Sequence, residues 1–199
     1  MLTVYCVRWG DKYPRHFVEE LKESIAKNLT VPHKFVCYTD TPEYDYDLPV
    51  KYSYLRGVWH KLALLENKGD SLFFDLDIKI NSNIDFLCED FQNFSLIDST
   101  PWKGVKDDYV FRITQNTMVN SSIMRWSNHS HVFEKFMKHR DMYLRLYSGI
   151  DRFIYNEEVD YQLIKTNNIT SWLENIDNSA IVLYNGKYEQ VQPANNWYL

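Results

Sequence analysis

The chain has 199 residues, of which 45% are hydrophobic and 16% aromatic, a composition typical of an ordered globular protein that folds as one domain over residues 1–199. A net charge of −5, without a stripe of basic side chains, argues against a nucleic-acid surface. Three widely spaced cysteines favour buried thiols over a disulfide framework or a zinc site. With neither a leader pattern nor an apolar run of about 18 residues, the sequence predicts a cytoplasmic protein without a transmembrane segment.

The first 80 residues alternate between strand and helix patterns. Apolar runs predict strands over 3–8 and 34–39, on either side of an amphipathic helix over 15–28. A third strand is predicted over 50–55, and helical spacing follows over 58–67. This alternation predicts an α/β fold with a central, mostly parallel, twisted mixed sheet flanked by helices.

The segment 71–80 contains two acids, Asp75 and Asp77, in a run that otherwise has the pattern of a buried strand. On a strand the two side chains project to the same face, about 6.5–7 Å apart. Two carboxylates that close repel each other in apolar surroundings unless a cation lies between them. Mg²⁺ or Mn²⁺ fits, because it takes one or two carboxylates and completes its coordination with water and phosphate oxygens. The pattern therefore indicates a nucleotide diphosphate site, with solvated strand-end acids as the alternative.

Polar residues at other strand ends are candidates for the same site. Ligands of parallel sheets bind beyond the carboxyl ends of the strands, which places residues 8–13, Asp40 and Asp77 on one rim. Arg8 and Lys61 can each neutralise phosphate charge. The alternative for Arg8 is an ion pair at the rim, and the alternative for Lys61 is an exposed lysine on a helix. Asp40 can accept a hydrogen bond from a base or ribose hydroxyl, or it can cap a turn.

The second half has a less regular pattern. It predicts a short helix over 84–91, a strand over 94–98, an extended or hairpin element over 115–126, a helix over 131–146, and late strands over 169–173 and 180–184.

Several polar residues of this half are further candidates. Asn120 can bind a sugar hydroxyl or close a hairpin, and Asp151 and Asp160 are acids that can contact the donor sugar or the acceptor, or lie on the surface. His129 and His131 are read as a solvated pair rather than a zinc site, since no third ligand is near in sequence. The glycine-rich motifs GxGxxG and GxxxxGK[ST] are absent from the sequence, which removes the main support for P-loop and dinucleotide-binding readings.

Five blocks, in this order along the chain, resemble those of GT-A fold glycosyltransferases related to glycogenin and the bacterial galactosyltransferases. The blocks are residues 4–13, 34–40, 59–62, 74–77 and 120–124. The resemblance implies a GT-A (Rossmann-like) fold and transfer of a sugar from a UDP-sugar donor to an acceptor hydroxyl, with Mn²⁺ as the usual metal.

The resemblance also implies roles for individual residues. Asp75 and Asp77 would be metal ligands, and Asn185 stands where the family often has a histidine as a third ligand. Lys61 would face the donor, and Asn120 would approach the sugar. Asp151 and Asp160, chosen as acids from the sequence itself, are the other catalytic candidates. The residues expected to surround the nucleotide are Arg8, Trp9, Thr39, Asp40 and Leu76.

Two other interpretations stay open at the level of sequence. A haloacid-dehalogenase-like phosphatase also has Asp-x-Asp after an apolar strand, and residues 107–108 can supply its later acidic motif, but that family carries the first motif on its opening strand. A non-catalytic module that binds a nucleotide sugar or glycan is the second alternative. It is motivated by Asn185 in place of histidine and by a short C-terminal part.

Overall fold

The computed structural model of the protein describes residues 1–89, 94–103, 117–157, 159–172 and 178–184. Its strands are β1 Leu2–Arg8, β2 His33–Thr39, β3 Asp47–Pro49, β4 Ser71–Phe74, β5 Ile78–Ile80, β6 Ser95–Asp98, β7 Val119–Trp126, β8 Gln162–Ile164, β9 Ile169–Ser171 and β10 Ile181–Leu183. Its helices are α1 His16–Asn28, α2 His60–Leu64, α3 Thr100–Lys103, α4 Ser130–Lys138, α5 Arg140–Leu146 and α6 Ile150–Asn156, with 3-10 turns at Gly57–Trp59 and Asp85–Cys88. In the described part of the chain, no helix has both the length and the apolar character needed to cross a membrane.

A seven-stranded mixed sheet in the order β3-β2-β1-β4-β7-β6-β8 forms the centre of the molecule. Strand β7 is antiparallel to both of its neighbours, β4 and β6, and the other neighbouring strands pair in parallel. The α/β prediction is confirmed. The chain builds outward from β1 to β3 and then returns to the opposite side of β1 with β4, which makes the β1–β4 boundary a topological switch point where such sheets bind ligands.

Side chains that alternate along β1 fill two core layers. Val4 and Cys6 pack in one cluster with the apolar stripe of α1, which includes Leu21 and Ile25. Tyr5 faces the opposite layer, where helices α2, α4 and α6 contribute apolar side chains. Both faces of the central strand are therefore covered by protein, which explains why its sequence is an almost continuous apolar run.

The predicted strand over 50–55 is wrong, because the third strand is instead Asp47–Pro49. The Asp47 carboxylate is buried and forms an ion pair of 2.9 Å with Arg15. It also accepts hydrogen bonds from the backbone N–H groups of Glu43, at 2.8 Å, and Tyr44, at 3.0 Å. A buried acid with these partners is compatible with a sheet edge, whereas its charge alone indicated a loop.

The predicted helix over 131–146 is also wrong as a single element. It is two helices, α4 and α5, separated at His139, where φ is −133°. Phe136 of α4 and Tyr143 of α5 both pack edge-on against Phe153, with ring centroids 5.6 and 4.9 Å away. Helical periodicity continues across the bend, so the pattern did not reveal it.

The acidic segment departs from the prediction as well, because residues 71–80 are not one strand. Strand β4 ends at Phe74, and β5 begins at Ile78 in a separate sheet of order β5-β10-β9. The Asp75 N–H still donates to the Ser122 carbonyl, at 2.8 Å, after which the chain bends into the second sheet. Asp75 and Asp77 therefore lie on a connection between two sheets.

Candidate functional site

A cavity of about 500 Å³ opens at the carboxyl ends of β1 and β4, at the switch point of the large sheet. Its wall combines residues from β1, α2, the β4–β5 connection, β7 and α6. The residues that line it include Trp9, Lys61, Asp75, Asp77, Asn120 and Asp151.

Asp75 lies against a lysine at the bottom of this cavity. The Lys61 Nζ atom is 2.7 Å from each of the two carboxylate oxygens. The two side chains are only 9% and 21% exposed, respectively. Burial raises the pKa of the Asp75 carboxyl to about 6, the positive charge of Lys61 opposes that rise, and the charge of Asp77 adds to it. Asp75 is therefore an acid whose charge is balanced by the protein only in part.

Asp77 lines the same cavity, although the strand is broken between the two acids. It is 5% exposed, and its backbone carbonyl accepts a hydrogen bond of 3.0 Å from the Tyr184 N–H of the second sheet. This bond holds the connection in place from its far end. The structure thus brings both acids to one cavity by a bend, rather than by the alternation along a strand that the sequence suggested.

The carboxylates of Asp75 and Asp77 are the acidic groups that the β4–β5 connection places in the cavity for a cation. Among the described residues there is no group of three or more His, Cys, Asp or Glu side chains able to hold a metal ion. The pair still fits a hard divalent cation in chemical terms, because Mg²⁺ and Mn²⁺ take few protein carboxylates and use substrate oxygens and water for the rest. Asn185, the expected third ligand, lies outside the described residues.

The first residues of β7 and the start of α6 form a polar wall. The Asp151 Oδ1 atom accepts a hydrogen bond of 3.0 Å from the Ser121 N–H, which ties α6 to the strand. The Asn120 Oδ1 atom accepts one of 2.9 Å from the Ser122 N–H. Asn120 sits within a long strand, so the hairpin alternative is not observed. The wall presents amide and carboxyl groups that can bind sugar hydroxyls.

Aromatic side chains lie on the β1 side of the cavity. The Trp9 ring is 5.5 Å from the ring of buried His60, and the Tyr13 ring is 5.4 Å from Phe17. Both Trp9 and Tyr13 line the cavity. Partly exposed aromatic faces of this kind suit stacking against a planar base or the apolar face of a sugar.

Three of the predicted nucleotide contacts hold loops together at the rim. The Arg8 Nη1 atom donates a bond of 2.7 Å to the Thr41 hydroxyl, and the Asp40 carboxylate accepts one of 3.0 Å from the Gly10 N–H. Thr39 is fully buried, and its hydroxyl oxygen accepts a bond from the Thr41 N–H. The Arg8 and Asp40 bonds join the loops after β1 and β2, whereas the Thr39 bond lies within the second loop. The sequence alternatives, an ion pair for Arg8 and a turn cap for Asp40, did not describe these two contacts. None of the three is among the residues that line the described cavity.

Two other candidates also lie away from the cavity wall. The Leu76 side chain is 4% exposed and packs in the core. Asp160 is exposed and is not among the lining residues, so we leave it out of the proposed site.

The histidine pair has a structural role at His129. Its Nδ1 atom lies 2.9 Å from the Ser127 carbonyl, and its Nε2 atom accepts a bond of 3.2 Å from the Phe94 N–H. Protein groups therefore occupy both ring nitrogens of His129, so it is a structural residue and not half of the solvated pair that the sequence suggested.

Sequence reasoning missed several lining residues. Three separate segments contribute lining residues that belong to no motif: Gly57 and Val58, Thr117, and Ser148. The nearest available signal was that residues beside a recognised block, such as Gly57 and Val58 before the block 59–62, tend to lie near the same site.

Comparison with known proteins shows similarity in fold. No family model matches the chain, and no curated protein matches it either. A solved structure of the galactosyltransferase LgtC with donor and acceptor sugar analogs has a TM-score of 0.64 at 11% identity, covering 92% of this chain and 86% of that one. The bifunctional glycosyltransferase WbbM gives 0.63 at 10%, covering 92% and 45%. A glycosyltransferase involved in glycosylation of the major capsid of PBCV-1 gives 0.58 at 11%, covering 93% of each chain. The chain thus has the GT-A-like fold of these glycosyltransferases.

Proposed function

We propose that the protein is a metal-dependent glycosyltransferase that moves a sugar from a nucleotide diphosphate sugar, most simply a UDP-sugar, to an acceptor hydroxyl. The observation that carries the proposal is that Asp75 and Asp77 face one cavity at the switch point of the sheet. The fold shared with solved glycosyltransferases supports the same reaction class.

Asp75 and Asp77 would hold the divalent cation, Mn²⁺ or Mg²⁺. The Asp75 carboxylate pairs with the Lys61 ammonium, which a metal ion would have to replace at those oxygens. When bound, the metal would neutralise the charge that develops on the diphosphate leaving group.

The remaining lining residues bind and orient the donor. Lys61 donates to the diphosphate or to the sugar from the base of the cavity. Asn120 and Asp151 bind sugar hydroxyls from the opposite wall, where hydrogen bonds to β7 fix both side chains. Trp9 lies on the nucleotide side, and the Arg8–Thr41 and Asp40–Gly10 bonds hold the loops that shape that side.

The alternatives differ in what they predict for turnover. The phosphatase reading gains no support from the fold, and residues 107–108, which it needs, lie outside the described residues. A binding module without turnover remains distinguishable by experiment, since it would bind nucleotide sugar and release no UDP.

Calorimetry with UDP and Mn²⁺, followed by measurement of UDP release from a panel of UDP-sugars, tests the proposal. We expect UDP to bind only when Mn²⁺ or Mg²⁺ is present, and slow donor hydrolysis even without acceptor, because water can enter an open cavity. Chelation of the metal should abolish both signals. Metal-independent hydrolysis of simple phosphomonoesters with no response to UDP-sugars would contradict the proposal, and UDP binding without any UDP release would reduce the protein to a binding module.

A further inference from the structure

The contact between Lys61 and Asp75 has a consequence for how a metal can enter the site. The ammonium group lies 2.7 Å from both carboxylate oxygens, so it spans the whole carboxylate rather than one corner of it. Those oxygens are the atoms that a divalent cation would use. An ammonium and a metal ion cannot share them at contact distance, because the two like charges repel strongly in a partly buried site.

Lys61 has little freedom to leave Asp75 for bulk water. Its side chain is 9% exposed, its Nζ atom lies 3.5 Å from the Ser121 hydroxyl, and the ring of Phe73 is 5.3 Å away. Loss of the ion pair without a new partner would leave a buried ammonium uncompensated, which is costly. The cavity that Lys61 lines is the open direction, and an anion bound there is the natural new partner.

We propose that Lys61 is the resident counter-ion of Asp75 in the metal-free protein, and that a divalent cation binds tightly only together with a diphosphate, which receives the displaced ammonium. The inference rests on the proposed function, since it assigns an order to the binding of that site's metal and nucleotide. Lys61 thereby couples the two ligands: each lowers the free-energy cost of binding the other.

Mn²⁺ binding to the full-length protein, measured by electron paramagnetic resonance with and without UDP, tests this coupling. The measurement is made at about pH 8.5, above the pKa of about 6 of the Asp75 carboxyl in the wild type. In the wild type, UDP should tighten Mn²⁺ binding by about tenfold or more. In Lys61→Met, Mn²⁺ alone should bind about tenfold more tightly than in the wild type, and the effect of UDP should shrink to about twofold.

Lys51→Met is the matched control, because it removes the same charge from an ion pair with Glu66, at 3.5 Å, away from the cavity. It should leave Mn²⁺ affinity unchanged with and without UDP. A thermal melt of each metal-free variant confirms folding, and Lys61→Gln serves in place of the methionine variant if that protein does not fold.

The outcomes separate the two proposals. If the wild type binds Mn²⁺ and UDP together but Lys61→Met binds Mn²⁺ alone no more tightly than the wild type, the counter-ion role is overturned and the proposed function stands. If neither the wild type nor any variant binds Mn²⁺ or UDP, the proposed function fails, and the counter-ion role fails with it.

Discussion

Two ion pairs in this molecule have similar contact distances, but the pKa values of their acids are shifted in opposite directions. Arg15–Asp47 lies beside the edge strand β3, and Lys61–Asp75 lies at the central cavity; the two contacts are 2.9 and 2.7 Å. Burial alone would raise the pKa of Asp47, but bonds from Arg15 and from two backbone N–H groups hold that pKa below its ordinary value. The pKa of Asp75, in contrast, is raised to about 6, mainly by burial that Lys61 offsets in part.

The difference shows how a structural acid is distinguished from one available to a ligand. Asp47 has donors on both oxygens, and its side chain is 0% exposed, so the fold satisfies it completely. Asp75 is hydrogen-bonded to the side chains of Lys61 and Ser122, and an open cavity lies before it. A carboxylate that the protein compensates incompletely is the better candidate for a metal ligand.

The largest effect is expected at the structural pair. Asp47→Asn leaves the half-buried Arg15 guanidinium without its counter-charge and weakens the bonds that fix the loop before β3. We expect the free energy of unfolding to fall by about 3–5 kcal/mol, measured by urea denaturation. Asp160→Asn, an exposed acid, is the control and should change it by less than about 0.5 kcal/mol. Equal stability of both variants would show that the Arg15–Asp47 ion pair does not stabilise the fold.

Asp75→Asn and Asp77→Asn should act mainly on ligand binding. Each should weaken UDP binding in the presence of Mn²⁺ by about 100-fold or more, equivalent to roughly 2.7 kcal/mol, because each removes an anionic ligand. Asp77→Asn should lower the free energy of unfolding of the metal-free protein less than Asp47→Asn does. Asp75→Asn also leaves the buried Lys61 ammonium without its counter-ion, so a thermal melt of that variant accompanies its binding measurement. Calorimetry measures the binding, and unchanged UDP affinity in both variants would remove the two acids from the site.

Asp75 and Asp47 should also contribute to stability with opposite dependence on pH. Because the pKa of Asp75 rises from 3.8 to about 6 on folding, the folded state binds the proton more tightly, and this group's contribution to stability decreases as pH rises from about 4 to about 6. Asp75→Asn should remove that slope, on the order of 1–2 kcal/mol after allowance for solvent access. Asp47, whose pKa is lowered, contributes stability that is lost as pH falls below about 4. Urea denaturation of the metal-free proteins at several pH values checks both signs; a wild-type slope that persists in Asp75→Asn would contradict the assignment.

The smallest effect is expected at the rim. Asp40→Ala removes the bond to the Gly10 N–H, and Gly10 has φ of +64° in the loop after β1. We expect UDP affinity to fall by less than about fivefold, because an exposed hydrogen bond contributes about 1 kcal/mol or less. A loss as large as that of Asp75→Asn would mean that Asp40 contacts the nucleotide directly.

The spacing of apolar residues in the sequence correctly predicted strands and helices whose apolar side chains pack in one core layer or alternate between two. Strands β1 and β2 and helix α1 were placed within a residue or two, since each has a clear apolar period and polar ends. The bend at His139 and the move of the edge strand from 50–55 to Asp47–Pro49 depend on contacts with Phe153 and Arg15. Those partners are distant in sequence, so periodicity carries no information about them.

The sequence likewise predicted one part of the candidate site and not the other. The grouping of Asp75, Asp77 and Lys61 at one cavity agrees with the sequence, because two of them follow a central strand and the third is on the preceding helix. The reason given for the acid pair was wrong, since a bend between two sheets orients them. The wall formed by Asn120 and Asp151 depends on the antiparallel insertion of β7 beside β4, which no motif specifies.

A crystal structure of the protein with UDP and Mn²⁺ tests the central claim most directly. We expect one metal ion bound by carboxylate oxygens of Asp75 and Asp77 and by oxygens of the diphosphate, with the Lys61 ammonium moved from Asp75 toward the diphosphate. Nucleotide bound elsewhere, or bound in the cavity while the Lys61–Asp75 ion pair stays intact and no metal contacts either acid, would contradict it.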